Sequence, residues 1–152
     1  MAETVAHSLN EQLLPLLRKE RFVLLNTVDK ETGAPNMSAI SWIYAPNEST
    51  IFFAVDNRSR IVENIRHNRL VTLTLIGAGS VYAIAGDATI VDENMTGVPL
   101  KVAKVRIEIR EIRDVMFYGS RISIEPQYEK TYDKKAAEKL DDQVMTALKN
   151  GE

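Results

Sequence analysis

The chain has 152 residues, 45% hydrophobic and 26% charged, with a formal net charge of -2 and no cysteine. That length and composition indicate a single soluble globular domain over residues 1–152, large enough to bury a core without staples. The lack of cysteine excludes disulfides, thiolate catalysis and cysteine-ligated metals, and the slightly acidic balance argues against nucleic acid as a partner.

The segment Met1-Ala2-Glu3-Thr4-Val5 lacks the basic region and apolar run of a secretory signal. No apolar run approaches the roughly 20 residues that cross a bilayer. A cytoplasmic protein with no membrane partner is therefore expected. Residues 3–19 carry apolar positions at Val5, Leu9, Leu13, Leu16 and Leu17, the stripe of a helix. Pro15 interrupts it, so a kink or two short helices are expected.

From Phe22 the pattern becomes that of strands, and a barrel is expected over residues 21–119. Residues 22–28 are rich in β-formers, and 29–35 form a turn cluster ending in Gly33-Ala34-Pro35. Residues 37–44 read as the returning strand, 45–49 as a turn and 51–55 as a third strand. A helix over 59–67 follows, with Ile61 and Ile65 facing inward. Residues 71–76 and 81–91 form a hairpin about Gly77-Ala78-Gly79-Ser80. That glycine pair resembles the start of a dinucleotide fingerprint, but the third glycine is absent and strand follows, which favours the hairpin turn.

Residues 92–99 are an irregular loop, where Met95, Gly97 and Pro99 either cover a cleft or simply connect. Ala103, Val105, Ile107 and Ile109 then alternate with charged residues, the pattern of a strand with one wet face. The apolar parity shifts to Ile112, so a bulge is expected near Glu111. Residues 115–118 read as strand or extended chain, and 133–150 as a helix with Ala137, Leu140, Val144 and Leu148 on one side and Gly151 beyond its end.

Chemistry concentrates at Asp56-Asn57-Arg58-Ser59-Arg60, where a strand gives way to a helix. Unpaired backbone N–H groups and the positive dipole end favour an anion there, and a hydroxyl and a guanidinium complete a phosphate pocket. The plain alternative is a serine N-cap followed by a solvated arginine, with Asp56 and Asn57 as other caps. His7 and His67 are far apart and lack carboxylates at ligand spacing, so no metal is expected. No nucleophile–base pair stands out. Arg106, Arg110 and Arg113 with Glu108 and Glu111 make a charged strand face. Trp42 suits core or interface packing. Tyr118, Arg121, Tyr128 and Tyr132 either shape a pocket or pack the last helix.

The order of these pieces resembles the pyridoxamine 5'-phosphate oxidase-like family, over about residues 13–112. The resemblance is carried by Asn26-Thr27-Val28-Asp29 leading into Gly33-Ala34-Pro35, by Ser38 and Trp42, by Ser59-Arg60 with Ile65 and Asn68, and by Ala85-Gly86-Asp87-Ala88. It implies a mainly β fold, an antiparallel six-stranded split β-barrel with short flanking helices. It further implies a homodimer with FMN in clefts between the barrels, completed by residues of the second subunit, among which Arg110 and Arg113 are candidates. In that scheme Ser59 and Arg60 hold the phosphate with Arg58 as a candidate further contact, Asn57, Asp56 and Val55 lie near the ring, and Ser38, Ala39, Ile40 and Ser41 run along its edge. No side chain is singled out as catalytic.

Three departures narrow the comparison. Family members commonly carry a lysine where this chain has Ile61, and loss of one charge-assisted contact weakens phosphate binding by roughly 1.5–3 kcal/mol. True pyridoxamine-phosphate oxidases have an arginine at the place of Ser38 and a lysine at that of Ile43, and their carboxy-terminal Arg-Leu-x-Pro pattern has no counterpart in residues 118–152. Flavin reductases and stress-associated relatives are the nearer comparison. The expected function is an FMN-dependent oxidoreductase passing electrons from NAD(P)H or another reductant to a small-molecule acceptor. The alternative is a non-catalytic flavin-binding protein for storage or sensing, and the residues leave open deazaflavin or haem in place of FMN.

Overall fold

A computed structural model describes residues 3–150. The strands are β1 (Glu3–Ala6), β2 (Val23–Val28), β3 (Pro35–Ile40), β4 (Ile43–Asn47), β5 (Thr50–Asp56), β6 (Leu70–Gly77), β7 (Ser80–Asp92) and β8 (Val102–Asp114). The helices are α1 (Arg60–His67) and α2 (Lys134–Lys149). All pairings are antiparallel, in the order β3-β2-β6-β7-β8-β5-β4, with β1 on β8.

The two ends of that path, β3 and β4, are separated in the chain only by Ser41 and Trp42. At this corner the Arg21 N–H donates to the Ser41 carbonyl and the Ala54 N–H to the Trp42 carbonyl, each at 3.0 Å. The sheet therefore curls until its ends meet, which is the split barrel. Among the described residues the sheet has eight strands, two more than the six of the expected split barrel. Residues 37–44 are not one strand but parts of two, and residues 3–6 add another.

The amino-terminal segment corrects the helical expectation. Thr4 pairs with Arg113 and Ala6 with Ile112, because β5 covers β8 only as far as Glu108 and leaves the edge beyond it open. After β1 the chain makes tight turns and one 3-10 turn, Pro15–Leu17. Asn10 Oδ1 accepts the N–H groups of Gln12 and Leu13 at 2.9 Å, and Pro15 has no N–H with which to continue an α-helix. Leu9, Leu13 and Leu17 are nevertheless buried together, so the apolar stripe serves the core without a continuous helix. The Val5 side chain and Gly151 lie outside the described residues.

The hairpin forms as expected. Ala78 and Gly79 have φ of 50° and 77°, the two left-handed residues of a two-residue turn between Gly77 and Ser80. The bulge lies at Arg110, one residue before its expected place: Ala85 pairs with Glu111 and Gly86 with Ile109. Gly86 is required there, since a Cβ would press on the Glu108 backbone and come within 2.6 Å of Ile107 Cγ2. Residues 115–118 are not strand. β7 begins at Ser80, so the ladder ends with one further bond, Val115 N–H to the Val81 carbonyl at 2.8 Å.

β5 is apolar from Ile51 to Val55 because both its faces are covered there. Ile51, Phe53 and Val55 point into the barrel, while Phe52 and Ala54 lie with Met95, Val102, Val144, Met145 and Leu148 under α2. Met95 is thus a core residue. Trp42 packs against the same cluster, and its Nε1 donates to Asp141 Oδ1 at 2.8 Å. Lys104 anchors the other end of α2, where its Nζ donates to the Asn150 carbonyl at 3.0 Å.

Candidate anion site at the start of the first helix

β5 ends at Asp56, and the chain turns at once into α1. The Ser59 N–H donates to the Asp56 carbonyl at 3.0 Å, and the Arg58 N–H to Asp56 Oδ1 at 2.8 Å. Asn57 is tied to the 92–101 loop: its N–H donates to the Lys101 carbonyl and its Nδ2 to the Glu93 carbonyl, both at 3.0 Å. With those two residues engaged, Ser59 is the N-cap, at φ -70° and ψ 158°, and its Oγ accepts the Val62 N–H at 3.4 Å. Helix geometry leaves the N–H groups of Arg60 and Ile61 without intrahelical acceptors. The plain reading of Ser59 is therefore realised, and it presents a helix start with two backbone donors.

The charges around this point are balanced. Arg60 Nη1 lies 3.7 Å from Asp29 Oδ1, the arginine side chain being 73% exposed and the aspartate 12%. Arg58 Nε lies 3.5 Å from Asp56 Oδ1. The Asp29 carboxyl is held below its ordinary pKa by the N–H groups of Thr32 and Glu31, with smaller help from the Thr32 hydroxyl and Arg60. The Arg58 N–H and side chain do the same for Asp56. Ile61, at the place of the family lysine, is 9% exposed and belongs to the barrel core.

A buried asparagine joins α1 to the sheet. Asn64 Nδ2 donates to Thr27 Oγ1 at 3.0 Å and to Asn36 Oδ1 at 2.9 Å, while its Oδ1 accepts the Lys30 N–H at 3.0 Å. This single side chain holds β2, the following turn and β3 against the helix. β3 ends the strand path, so one edge of its backbone lies off the ladder. Ser38 and Ile40, half-buried, stand opposite Leu25 and Val23, whereas Ala39 faces outward opposite Leu24. Ser41 lies in the corner, where its Oγ donates to Glu20 Oε2 at 2.9 Å. Val55 points into the barrel core.

The structure thus gathers Asp56, Asn57, Arg58, Ser59 and Arg60 at one point and links them to the start of β3. A hollow of about 590 Å³ beside α1 is lined by Lys30, Asn57, Arg58, Glu63, Arg66 and His67, but by neither Ser59 nor Arg60. From the sequence Asn64 was not singled out, and Asp29 stood only as the end of the motif Asn26-Thr27-Val28-Asp29, not as a site residue. The signal for Asn64 is a polar residue on the buried face of a helix, between Ile61 and Ile65. Asp29 carried none, since only the fold brings it to Arg60.

The charged face of β8 is ion-paired, with Arg110 Nε 3.0 Å from Asp87 Oδ2 and Arg106 Nε 3.5 Å from Glu108 Oε1. In the tail, Lys130 binds Glu20 and Asp141 at 2.8 and 3.2 Å, and Tyr128 stacks obliquely on Phe22. Among the described residues no group of His, Asp and Glu is arranged to hold a metal, and no helix is long and apolar enough to cross a membrane.

A family model described as Pyridoxamine 5'-phosphate oxidase matches residues 9–104. No curated protein matches the chain. Among solved structures, a candidate pyridoxamine 5'-phosphate oxidase of Lactobacillus delbrueckii superposes with a TM-score of 0.62 at 17% identity, covering 74% of this chain and 98% of its own. An F420 reductase gives 0.58 at 17% identity over 68% and 98%. General Stress Protein 26 of Bacillus anthracis gives 0.54 at 14% identity over 68% and 91%. At these identities the likeness is one of fold.

Proposed function

The chain belongs to the pyridoxamine 5'-phosphate oxidase family, and from that membership we propose that it is an FMN-binding oxidoreductase working as a homodimer. The observation that carries the reading is the mechanical union of the α1 start with β3 through Asn64. A phosphate anchor and a strand with a spare backbone edge are held at a fixed separation, as a ligand with an anionic tail and a planar head requires.

The donor set fits such a ligand. The free N–H groups of Arg60 and Ile61, the dipole of α1 and the Arg60 guanidinium would hold the phosphate. The backbone of Ser38, Ala39 and Ile40 would orient the ring by its edge, with Asp56, Asn57 and Arg58 alongside. When bound, the flavin supplies the hydride and electron transfer, so the protein needs no nucleophile of its own. The reductant would be NAD(P)H or another donor, and the acceptor a small molecule.

The dimer is supported by the outward face of β3, β2, β6 and β7. Across it run Ala39, Leu24, Thr74 and Ala83, and beside them Met37, Asn26, Thr72 and Ala85. None is charged, and Met37 is 65% exposed. A face of this kind suits burial against a second copy. Vitamin B6 oxidation is not proposed, because Ile43 lies wholly inside the barrel where true oxidases carry a lysine.

Absorbance of the purified protein tests the proposal. Flavin absorbance that survives gel filtration, or appears on adding FMN, supports it, and anaerobic bleaching by NAD(P)H identifies an oxidoreductase. A bound flavin that no reductant bleaches marks storage or sensing instead. A protein that takes up no FMN at micromolar concentration overturns the proposal.

A further inference from the structure

Each arginine at the start of α1 already faces a carboxylate. Arg60 lies 3.7 Å from Asp29 and Arg58 3.5 Å from Asp56. The nearby Lys30 is itself 3.4 Å from Glu63. Position 61, where a lysine would tip the balance, holds a core isoleucine. An arriving phosphate therefore meets cations that are matched by anions.

The two members of the Arg60–Asp29 pair differ in freedom. Asp29 is fixed, because its Oδ2 accepts the Glu31 N–H at 3.1 Å, the Thr32 N–H at 3.0 Å and the Thr32 hydroxyl at 3.2 Å. Its Oδ1 is left facing Arg60. The arginine extends into solvent and can rotate about several bonds. Any anion that engages the guanidinium must do so beside a carboxylate that cannot withdraw.

Resting on the flavin-phosphate reading above, we propose that Asp29 is a specificity-determining residue whose fixed carboxylate competes with a phosphate monoester for Arg60. The site then holds FMN loosely, and flavin enters and leaves as a dissociable ligand rather than staying as a resident group. The carboxylate repels the phosphate as well as occupying its partner, and both effects act on the phosphorylated flavin alone. Riboflavin, which lacks the anion, does not sense Asp29.

The test is titration of FMN and riboflavin into the wild type, Asp29→Asn, Asp29→Ser, Arg60→Ala and the double variant Asp29→Asn/Arg60→Ala at low ionic strength. Both replacements at Asp29 keep an acceptor for the turn, so the fold is retained. The expected result is that preference for FMN over riboflavin rises about three- to tenfold in each Asp29 variant, with riboflavin affinity steady. The gain should vanish when Arg60 is also removed. A preference that is unchanged or reduced in both Asp29 variants overturns the proposal, and a reduction would make Asp29 a residue that orients Arg60. Failure of the parent reading looks different: the wild type binds neither flavin, or Arg60→Ala leaves its FMN preference intact. Either of those outcomes overturns both.

Discussion

Asn64 Nδ2 donates to Asn36 Oδ1 across 2.9 Å, joining the first helix to the edge strand of the barrel. The same buried side chain also bonds Thr27 and the Lys30 N–H. Removing it leaves three polar groups facing an apolar void, each costing a share of its desolvation. Asn64→Leu should therefore lose about 2–3 kcal/mol of stability in urea unfolding. On the proposed function FMN affinity should fall with it, since the proposed phosphate anchor and ring strand would lose their common brace.

Ser59 caps α1 through its hydroxyl. Ser59→Ala should lower stability by about 1 kcal/mol, and Ser59→Thr should restore most of the loss. Thermal melts of the three proteins without ligand check this. A Ser59→Ala melt equal to the wild type would mean that the bond of 3.4 Å contributes nothing in solution.

Gly86 sits where β7 pairs with the bulged part of β8, with no room for a Cβ. Gly86→Ala should destabilise by roughly 1–3 kcal/mol, the usual cost of overpacking. Gly33→Ala meets open space, so its cost should be only that of its φ of 76°. Equal losses at the two positions, measured by urea midpoint, would contradict the close approach of the Gly86 backbone to Glu108.

The two aspartates at the site give stability a defined acid limb. Both carboxyls titrate below their ordinary value of 3.8 in the folded protein, chiefly because backbone N–H groups bond the charged form. The unfolded chain thus takes up these protons at higher pH than the native one. Their stabilising contribution is complete above that ordinary value and is lost as pH falls through the lowered folded values. Asp29→Asn should lower stability at neutral pH and so flatten the acid limb of a stability–pH curve, the variant and the wild type converging at the acid end.

Lys130 acts at the opposite end of the scale. Burial alone would lower its pKa, but hydrogen bonds and charge from Glu20 and Asp141 raise it above 10.5. Its contribution is full below that value and is lost as pH rises through the raised folded pKa. Glu20 and Asp141 also receive Ser41 Oγ and Trp42 Nε1, so Lys130 ties the tail to the barrel corner. Lys130→Met should remove the alkaline limb and expose residues 119–132 to limited proteolysis.

Much of the barrel was legible because its signals are local. The alternation from Ala103 to Ile109, the turn at Ala78-Gly79 and the apolar face of α1 each follow from the period of one element. The corner at Ser41-Trp42 was hidden, since neither glycine nor proline marks it and the run from Met37 to Tyr44 reads without a break. β1 has only four residues, too few for a period, and it is a strand because β8 offers an open edge. At the site, the stretch from Asp56 to Arg60 was visible as a cap followed by a cation. The pairing of Arg60 with Asp29 was not, because turn and helix meet only in three dimensions.

On the proposed function, the start of α1 holds a flavin phosphate through Arg60. Comparing FMN and riboflavin affinities in the wild type and in Arg60→Ala tests it most directly. The wild type is expected to prefer FMN and the variant to bind the two flavins about equally, with riboflavin affinity little changed. An Arg60→Ala protein that weakens both flavins alike, or keeps the FMN preference, would contradict it.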